Sequence, residues 1–386
     1  MRRQLAIRGT LGGYSGYDIT VRSFVRALGA LGVDLELIDF PAWSSLRLPP
    51  AKLSPPLSVP NPSVSSSTIV QFCMPPQTLR YAGLRAINFT MFEYDRVPRA
   101  WLEHSLRQHH LVVPEESSRA AWLAEAFPPE RISLCPLGVD CERFRPGLAP
   151  LPLDEVRGRP IGAYRTRFLN VASVIPRKNL LGLLRVWLDA TRADDDAVLI
   201  LKLSHSGSAA ARLMRDLHFL ERSLGRTRDQ AAALLLLDPS LSDAEMPRLH
   251  ANATHYWSMS HGEGWDQPMT EAAACGLRLI APDHTAYRAY LDPSVATMLP
   301  CARRPARRPD EEDADPHAYR SLFTAEPHWW EPDREAAIAA VRTAIDQRDA
   351  PNRGARARMT SLTWEAAARR LCAIVDGVEA GAGAGP

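Results

Sequence analysis

Residues 261–276 read His261-Gly262-Glu263-Gly264-Trp265-Asp266-Gln267-Pro268-Met269-Thr270-Glu271, then Ala-Ala-Ala-Cys-Gly276. Asp266 or Gln267 can cap a helix here, Pro268 suits its first turn, and Gly276 ends it. The spacing predicts a helix over 269–275, with Glu263 in the loop before it and Glu271 in its first turn. Free N–H groups at a helix start form an anion site, and the helix dipole favours a phosphate there. Gly262 and Gly264 let a ligand approach the backbone closely. Carboxylates beside a phosphate site make chemical sense for a sugar nucleotide. Its diphosphate needs N–H donors, and its hydroxyls need acceptors. Glu263 suits the hexose and Glu271 the ribose. The rival reading is that both acids merely favour a helix N-terminus.

Lysine usage singles out another candidate. The chain has only three lysines, Lys52, Lys178 and Lys202. Arginine fills nearly every other basic position, so Lys178 suggests that a compact point charge is wanted there. Arg177 beside it either assists or is a solvated surface charge. Lys52 falls in a Pro-rich loop and reads as surface. Lys202 ends a core strand at its carboxyl edge.

The elements that must position these groups alternate strand and helix. Strands are expected at 5–8, 33–38, 68–72, 86–90, 111–113 and 132–134, with a helix over 19–31 after a glycine-rich loop at 9–16. A Pro- and Gly-rich stretch, 145–160, marks a boundary. Strands then follow at 168–172, 197–203, 232–237, 255–258 and 278–280. Helices are expected at 179–189, 208–224 and 242–251. Short apolar strands between helices argue for parallel sheets covered on both faces. The expected class is α/β, with two doubly wound Rossmann-like domains facing a central cleft. Ligands of such sheets bind at the carboxyl ends of the strands. The domains are expected at 1–150, binding the acceptor, and at 151–355, binding the nucleotide sugar. Residues 356–386 form a last helix and tail.

Composition removes other classes. The longest apolar run, 231–237, is far too short to span a membrane, and Arg8 interrupts any apolar signal core. A net charge of +2 gives no bulk drive toward nucleic acid. The cysteines at 73, 135, 141, 275, 301 and 372 form no Cys-x-x-Cys pair and read as reduced, structural thiols. Residues 303–308 are basic and 310–315 acidic, so that segment neutralises itself as a solvated loop. Asp194–Asp196 reads as a loop entering a strand. Trp329-Trp330 reads as core anchoring before a helix.

The Glu-x7-Glu pattern from Glu263 to Glu271 resembles the signature of the retaining GT-B glycosyltransferases of family 4. Ser173-Val-Ile-Pro-Arg-Lys-Asn-Leu180 resembles that family's diphosphate loop, and Pro136-Leu-Gly-Val-Asp-Cys-Glu-Arg-Phe-Arg-Pro146 the close of its first domain. Gly12-Gly13-Tyr14-Ser15-Gly16 stands where the family has its first glycine-rich loop. Thr363-Trp-Glu-Ala-Ala-Ala is similar to the start of its last helix, which crosses back to the first domain.

The resemblance implies transfer of a hexose from a nucleotide-diphosphate sugar to a hydroxyl, with retention and with no metal or other cofactor. It implies nucleotide-sugar contacts from Gly13, Tyr14, Lys178, His261, Gly262, Glu263, Gly264, Trp265, Asp266 and Glu271. Glu263, Lys178, Arg177 and Glu93 are then the catalytic candidates. The family often has an Arg where this chain has Ala172, and a His in the stretch matching 88–96, where Glu93 or Thr90 stands instead. The acceptor is left open among sugar, lipid-linked, protein and small-molecule classes, with no nucleic acid. A cytoplasmic location follows, with peripheral contact at the inner face of a membrane left open. A sugar-nucleotide epimerase or phosphorylase and a non-catalytic glycosyltransferase-like subunit are the alternatives.

Overall fold

The structure is a computed structural model and describes residues 3–40, 65–204, 207–238, 240–306, 322–347 and 350–381. Lys52, most of the Pro- and Ser-rich loop before the third strand, residues 307 and 308 of the basic run, and the acidic run 310–315 lie outside the described residues. By its internal contacts the chain forms two compact units. One comprises Met1–Gly138, Asp313–His328 and Ser361–Pro386; the other comprises Val139–Glu312 and Trp329–Thr360.

The first unit carries strands β1 (Gln4–Gly9), β2 (Asp34–Asp39), β3 (Thr68–Phe72), β4 (Arg85–Phe89), β5 (His110–Val113) and β6 (Ile132–Leu134). They form one sheet in the order β2-β1-β3-β4-β5-β6, all pairs parallel. Leu5, Ile7, Ile69, Val70, Ile87 and Phe89 are fully buried, as strands covered on both faces require. Helices α1 (Gly16–Ala30), α2 (Arg99–Leu106) and α3 (Glu116–Leu123) belong to this unit. Ser15 and Asp18 form a capping box that starts α1. Phe24 of α1 then packs on Phe72 and Phe89, with ring centres 5.2 and 5.3 Å apart.

The second unit carries β7 (Thr166–Ser173), α4 (Leu180–Ala190), β8 (Ala197–Ser204), α5 (Gly207–Leu224), β9 (Ala233–Leu237), α6 (Glu245–His250), β10 (His255–Trp257), α7 (Gln267–Ala274), β11 (Arg278–Pro282), α8 (Tyr287–Tyr290) and β12 (Thr297–Leu299). Its sheet runs β12-β11-β10-β7-β8-β9, again with parallel pairs. A two-stranded sheet of β13 (Cys301–Pro305) and β14 (His328–Pro332) is followed by α9 (Arg334–Asp346) and α10 (Arg353–Met359). Phe168, Leu199, Leu201, Trp187 and Val341 form part of the core between sheet and helices. Each such side chain contributes roughly 1.5–3 kcal/mol by leaving water.

The strand order decides where a ligand can bind. From β7 the chain moves outward through β8 and β9, then returns to lay β10 against the other side of β7. The loops after β7 and β10 therefore leave neighbouring carboxyl ends, where ligands of such sheets bind. Asn170 of β7 donates to Trp257 O at 2.8 Å and fixes the two strands together near that end.

Two expected boundaries are placed differently. Leu151 N bonds Arg248 O at 2.9 Å, and Asn252 Nδ2 bonds Leu151 O at 3.0 Å. The Pro- and Gly-rich stretch 145–160 is thus strapped to α6 and belongs to the second unit. Residues 356–386 divide between units: α10 lies in the second, while α11 (Trp364–Ala380) packs on α1, with Trp364 edge-on to Phe24 at 5.5 Å.

Candidate active site in the second unit

After β7 the chain makes one tight turn, Pro176–Lys178. Asn179 follows in the left-handed region (φ 50°) and caps α4, its Oδ1 accepting from Gly182 N at 3.2 Å. A Cβ on Gly182 would lie 2.3 Å from that oxygen, so only glycine leaves room for the cap. Asn179 Nδ2 also donates to Met259 O at 3.0 Å. Arg177 O accepts from His261 N at 2.8 Å and from Ser260 Oγ at 3.2 Å. The loop after β7 is therefore stitched to the loop after β10.

Glu263 is the centre of this junction. Its carboxylate lies 2.6 Å from Lys178 Nζ and 2.9 Å from Arg177 Nη1. Arg177 also donates to Gly262 O at 2.5 Å, and Glu263 N donates to Thr285 Oγ1 at 3.1 Å. Burial alone would raise the Glu263 carboxyl, but the two cations outweigh it and hold the group well below its ordinary range. Arg177, Lys178 and Glu263 sum to +1, and the neighbouring Asp266 carboxyl offsets that charge once ionised. The two cations are in place before an anion arrives, so binding does not pay the entropy of gathering them.

Asp266 occupies the N-cap position of α7 with φ 62°, yet its side chain does not cap the helix. Its Oδ2 accepts instead from Tyr287 Oη at 2.8 Å. Burial, with Glu263 adding to it, pushes the Asp266 carboxyl up, against the pull of Lys178. The expected cap by Asp266 is corrected here: Tyr287 takes the carboxylate. Because α7 begins at Gln267, Glu271 is its fifth residue rather than part of the first turn. Glu271 is buried and its carboxyl is pushed up by that burial to about 7. His250 Nε2 lies 4.0 Å away, and the same burial keeps that imidazole neutral-favouring.

No family model matches the sequence, and no curated protein matches it. Solved structures do. A sucrose-phosphate synthase from Thermosynechococcus elongatus superposes with a TM-score of 0.58 over 98% of this chain and 100% of its own, at 14% identity. Anabaena HepE, solved with UDP and glucose, gives 0.59 over 97% and 100% at 12% identity. AviGT4, a glycosyltransferase of avilamycin A biosynthesis, gives 0.59 over 98% of each chain at 14% identity. The fold is GT-B.

Within this GT-B chain the remaining expected residues are distributed as follows. His261, Gly262, Gly264 and Trp265 are buried in the loop after β10. His261 Nε2 lies 2.8 Å from Glu331 Oε2, and its ring lies 4.1 Å from that of Trp329. Trp265 O accepts from Tyr290 Oη at 2.6 Å. Trp330 N donates to His261 O, and the Trp330 ring stacks on His284 at 5.7 Å. The tryptophan pair, read from the sequence as an anchor before a helix, thus packs on two histidines of the site. Lys202 is buried on β8, donating to Leu203 O at 2.6 Å, and burial lowers its pKa.

Gly13, Tyr14 and Glu93 belong to the first unit, in the loops after β1 and β4. Gly13 N–H donates to Asp18 Oδ1 at 2.7 Å. Asp18 also bonds Ser15 N and its hydroxyl, so the loop amide is drawn into the α1 cap. Arg96, in the same loop as Glu93, bonds Glu125 at 3.0 Å. Thr90 Oγ1 lies 3.1 Å from Tyr17 Oη.

Four groups around Glu263 were not read from the sequence: Ser260, His284, Thr285 and Tyr287. His284 Nε2 meets Ser260 O and its Nδ1 meets Thr285 Oγ1, both at 2.8 Å, while burial lowers the imidazole to about 4. Their signal was position alone: Ser260 follows β10, and the other three follow β11 at its carboxyl end. Among the described residues, no group of three or more His, Cys, Asp or Glu could hold a metal ion. Among them, no helix is long and apolar enough to cross a membrane.

Proposed function

We propose that the chain is a glycosyltransferase that moves a hexose from a nucleotide-diphosphate sugar to an acceptor hydroxyl with retention. The observation that carries this reading is Glu263 held between Arg177 and Lys178 beside the side-chain-free N-cap of α7. In this reading Lys178, Arg177 and the positive end of the α7 dipole take the diphosphate, Glu263 accepts from the hexose, and Glu271 from the ribose. The UDP and UDP-glucose complexes of Anabaena HepE, a neighbour in fold, support a donor of this chemical class.

The bond from the anomeric carbon to the diphosphate oxygen breaks as the acceptor oxygen attacks from the same face. The departing oxygen takes the acceptor proton, so no separate side-chain base is required. Lys178, Arg177 and the helix dipole stabilise the charge that develops on the leaving group. These groups stand where a metal would otherwise serve, so a chelator should leave the initial rate unchanged. A rate abolished by chelator and restored by magnesium would contradict this. Nucleotide release that rises only when an acceptor is added separates transfer from epimerisation and from phosphorolysis.

Glu271 gives the pH dependence. Folded, its carboxyl is raised from 4.5 to about 7. It therefore favours the fold below its unfolded value, and that contribution is lost as pH rises through about 7. Ribose hydroxyls donate to the ionised form, so donor affinity should rise between pH 6 and pH 8, with a proton released on binding. The diphosphate diester itself does not titrate in that window. Calorimetry in two buffers measures both effects, and Glu271→Gln should flatten the profile. Asp266, raised to about 6, ionises in the same range with the opposite sign, so the comparison isolates Glu271: identical wild-type and Glu271→Gln profiles remove it from the ribose.

A further inference from the structure

Both backbone groups of Glu263 are bound by one short segment. Glu263 N donates to Thr285 Oγ1 at 3.1 Å, and Ala286 N donates to Glu263 O at 3.3 Å. The threonine hydroxyl is itself fixed. His284 Nε2 lies 2.8 Å from Ser260 O, which can only accept, so Nε2 carries the imidazole proton. Burial keeps the ring neutral, so Nδ1 is an acceptor, and Thr285 Oγ1 donates to it at 2.8 Å. The lone pairs of that oxygen are left for Glu263 N–H. One run of hydrogen bonds thus joins Ser260, His284, Thr285 and Glu263, and ties the loop after β10 to the segment after β11.

Thr285 adopts φ 40°, in the left-handed region. A β-branched residue is an outlier there, and such strain persists only where the surroundings enforce it. Glycine adopts this conformation freely, but it brings no hydroxyl. The two cations that hold the Glu263 carboxylate are the ones the reading above gives to the diphosphate. A bound diphosphate draws on Arg177 and Lys178 and loosens their hold on the acid. The clamp from residues 284–286 is uncharged, and the diphosphate does not compete for it.

We infer that Thr285, oriented by His284, is a positioning residue that keeps Glu263 in place for the hexose while the diphosphate occupies the two cations. That role rests on the reading above, and it gives the donor's sugar and its diphosphate separate restraints on one loop.

The test uses the full chain and calorimetric titration with UDP-glucose, UDP-galactose, GDP-mannose and ADP-glucose, each beside its nucleoside diphosphate. The tightest nucleotide sugar is the probe, and its dissociation constant is divided by that of its diphosphate. Thr285→Val keeps the β-branched shape and removes the hydroxyl. It should raise this ratio about tenfold, the effect of one hydrogen bond, with diphosphate affinity within about threefold of wild type. Thr285→Gly removes the same hydroxyl and relieves the backbone, so it should raise the ratio equally in a chain that still melts cooperatively. Thr285→Ser restores the hydroxyl and should return the ratio to within about threefold of wild type. His284→Phe should match Thr285→Val, and the double variant should add nothing further, because both changes break one run of bonds. An unchanged ratio in Thr285→Val or in Thr285→Gly overturns the inference. So does a loss shared equally by sugar and diphosphate, or one that Thr285→Ser does not repair, since the threonine would then be only structural. Additive losses in the double variant overturn the link through His284. A wild-type chain that binds none of the nucleotide sugars overturns the underlying reading instead.

Discussion

Replacing Lys178 by Ala should raise the dissociation constant for the nucleotide-diphosphate donor by about 100-fold. A hydrogen bond to a charged group contributes roughly 1.5–3 kcal/mol, and each 1.4 kcal/mol is a factor of ten in affinity. A second effect has the same sign. Lys178 Nζ lies 2.6 Å from Glu263, so its removal leaves one carboxylate facing one cation where two stood. The cluster loses one of its two positive charges, so the diphosphate meets a weaker field. The fold should survive, because Glu263 keeps Arg177 at 2.9 Å and its backbone bond to Thr285. Lys178→Arg should recover only part of the affinity. A guanidinium is a rigid fork rather than a point charge, and Arg177 already fills that role beside it. Titration calorimetry checks affinity, and a thermal melt checks that the variant is folded. A donor affinity within threefold of wild type would remove Lys178 from the site.

The alternation of elements was legible because both sheets are parallel and buried on each face. Such strands read as short apolar runs, and 68–72 and 132–134 match β3 and β6 to the residue. Strand ends such as Thr166 and Ser173 were missed, since polar residues at the two ends of a strand carry no hydrophobic signal. The meeting of Lys178 with Glu263, 85 positions apart, could be reached only through the resemblance. Spacing along a chain says nothing of which strands adjoin, and it is the return of β10 to β7 that joins their loops. Tyr287 and Thr285 were invisible for the same reason. They leave a third strand, β11, and act on Glu263 and Asp266 through single hydrogen bonds.

Glu263→Gln should separate the two tasks of this site. The amide keeps the shape but leaves Arg177 and Lys178, both largely buried, without their counter-charge. Breaking a buried ion pair from one side costs roughly 3–5 kcal/mol. In a unit of this size that lowers the melting temperature by about 10 °C. The wild-type carboxyl is depressed, so its contribution is present above the unfolded value near 4.5 and is lost as pH falls through the folded one. The wild-type advantage over the variant should therefore shrink in acid. A nucleoside diphosphate brings negative charge to the same two cations. It should raise the melting temperature of Glu263→Gln by more than it raises that of wild type, because the ligand replaces the missing charge. Transfer should nonetheless fall by at least about 100-fold, since the acceptor for the hexose hydroxyls is gone and its loss acts on the transition state. Diphosphate binding kept and hexose transfer lost would assign Glu263 to the sugar and its two cations to the leaving group. A variant with wild-type stability and wild-type rate would sink both assignments.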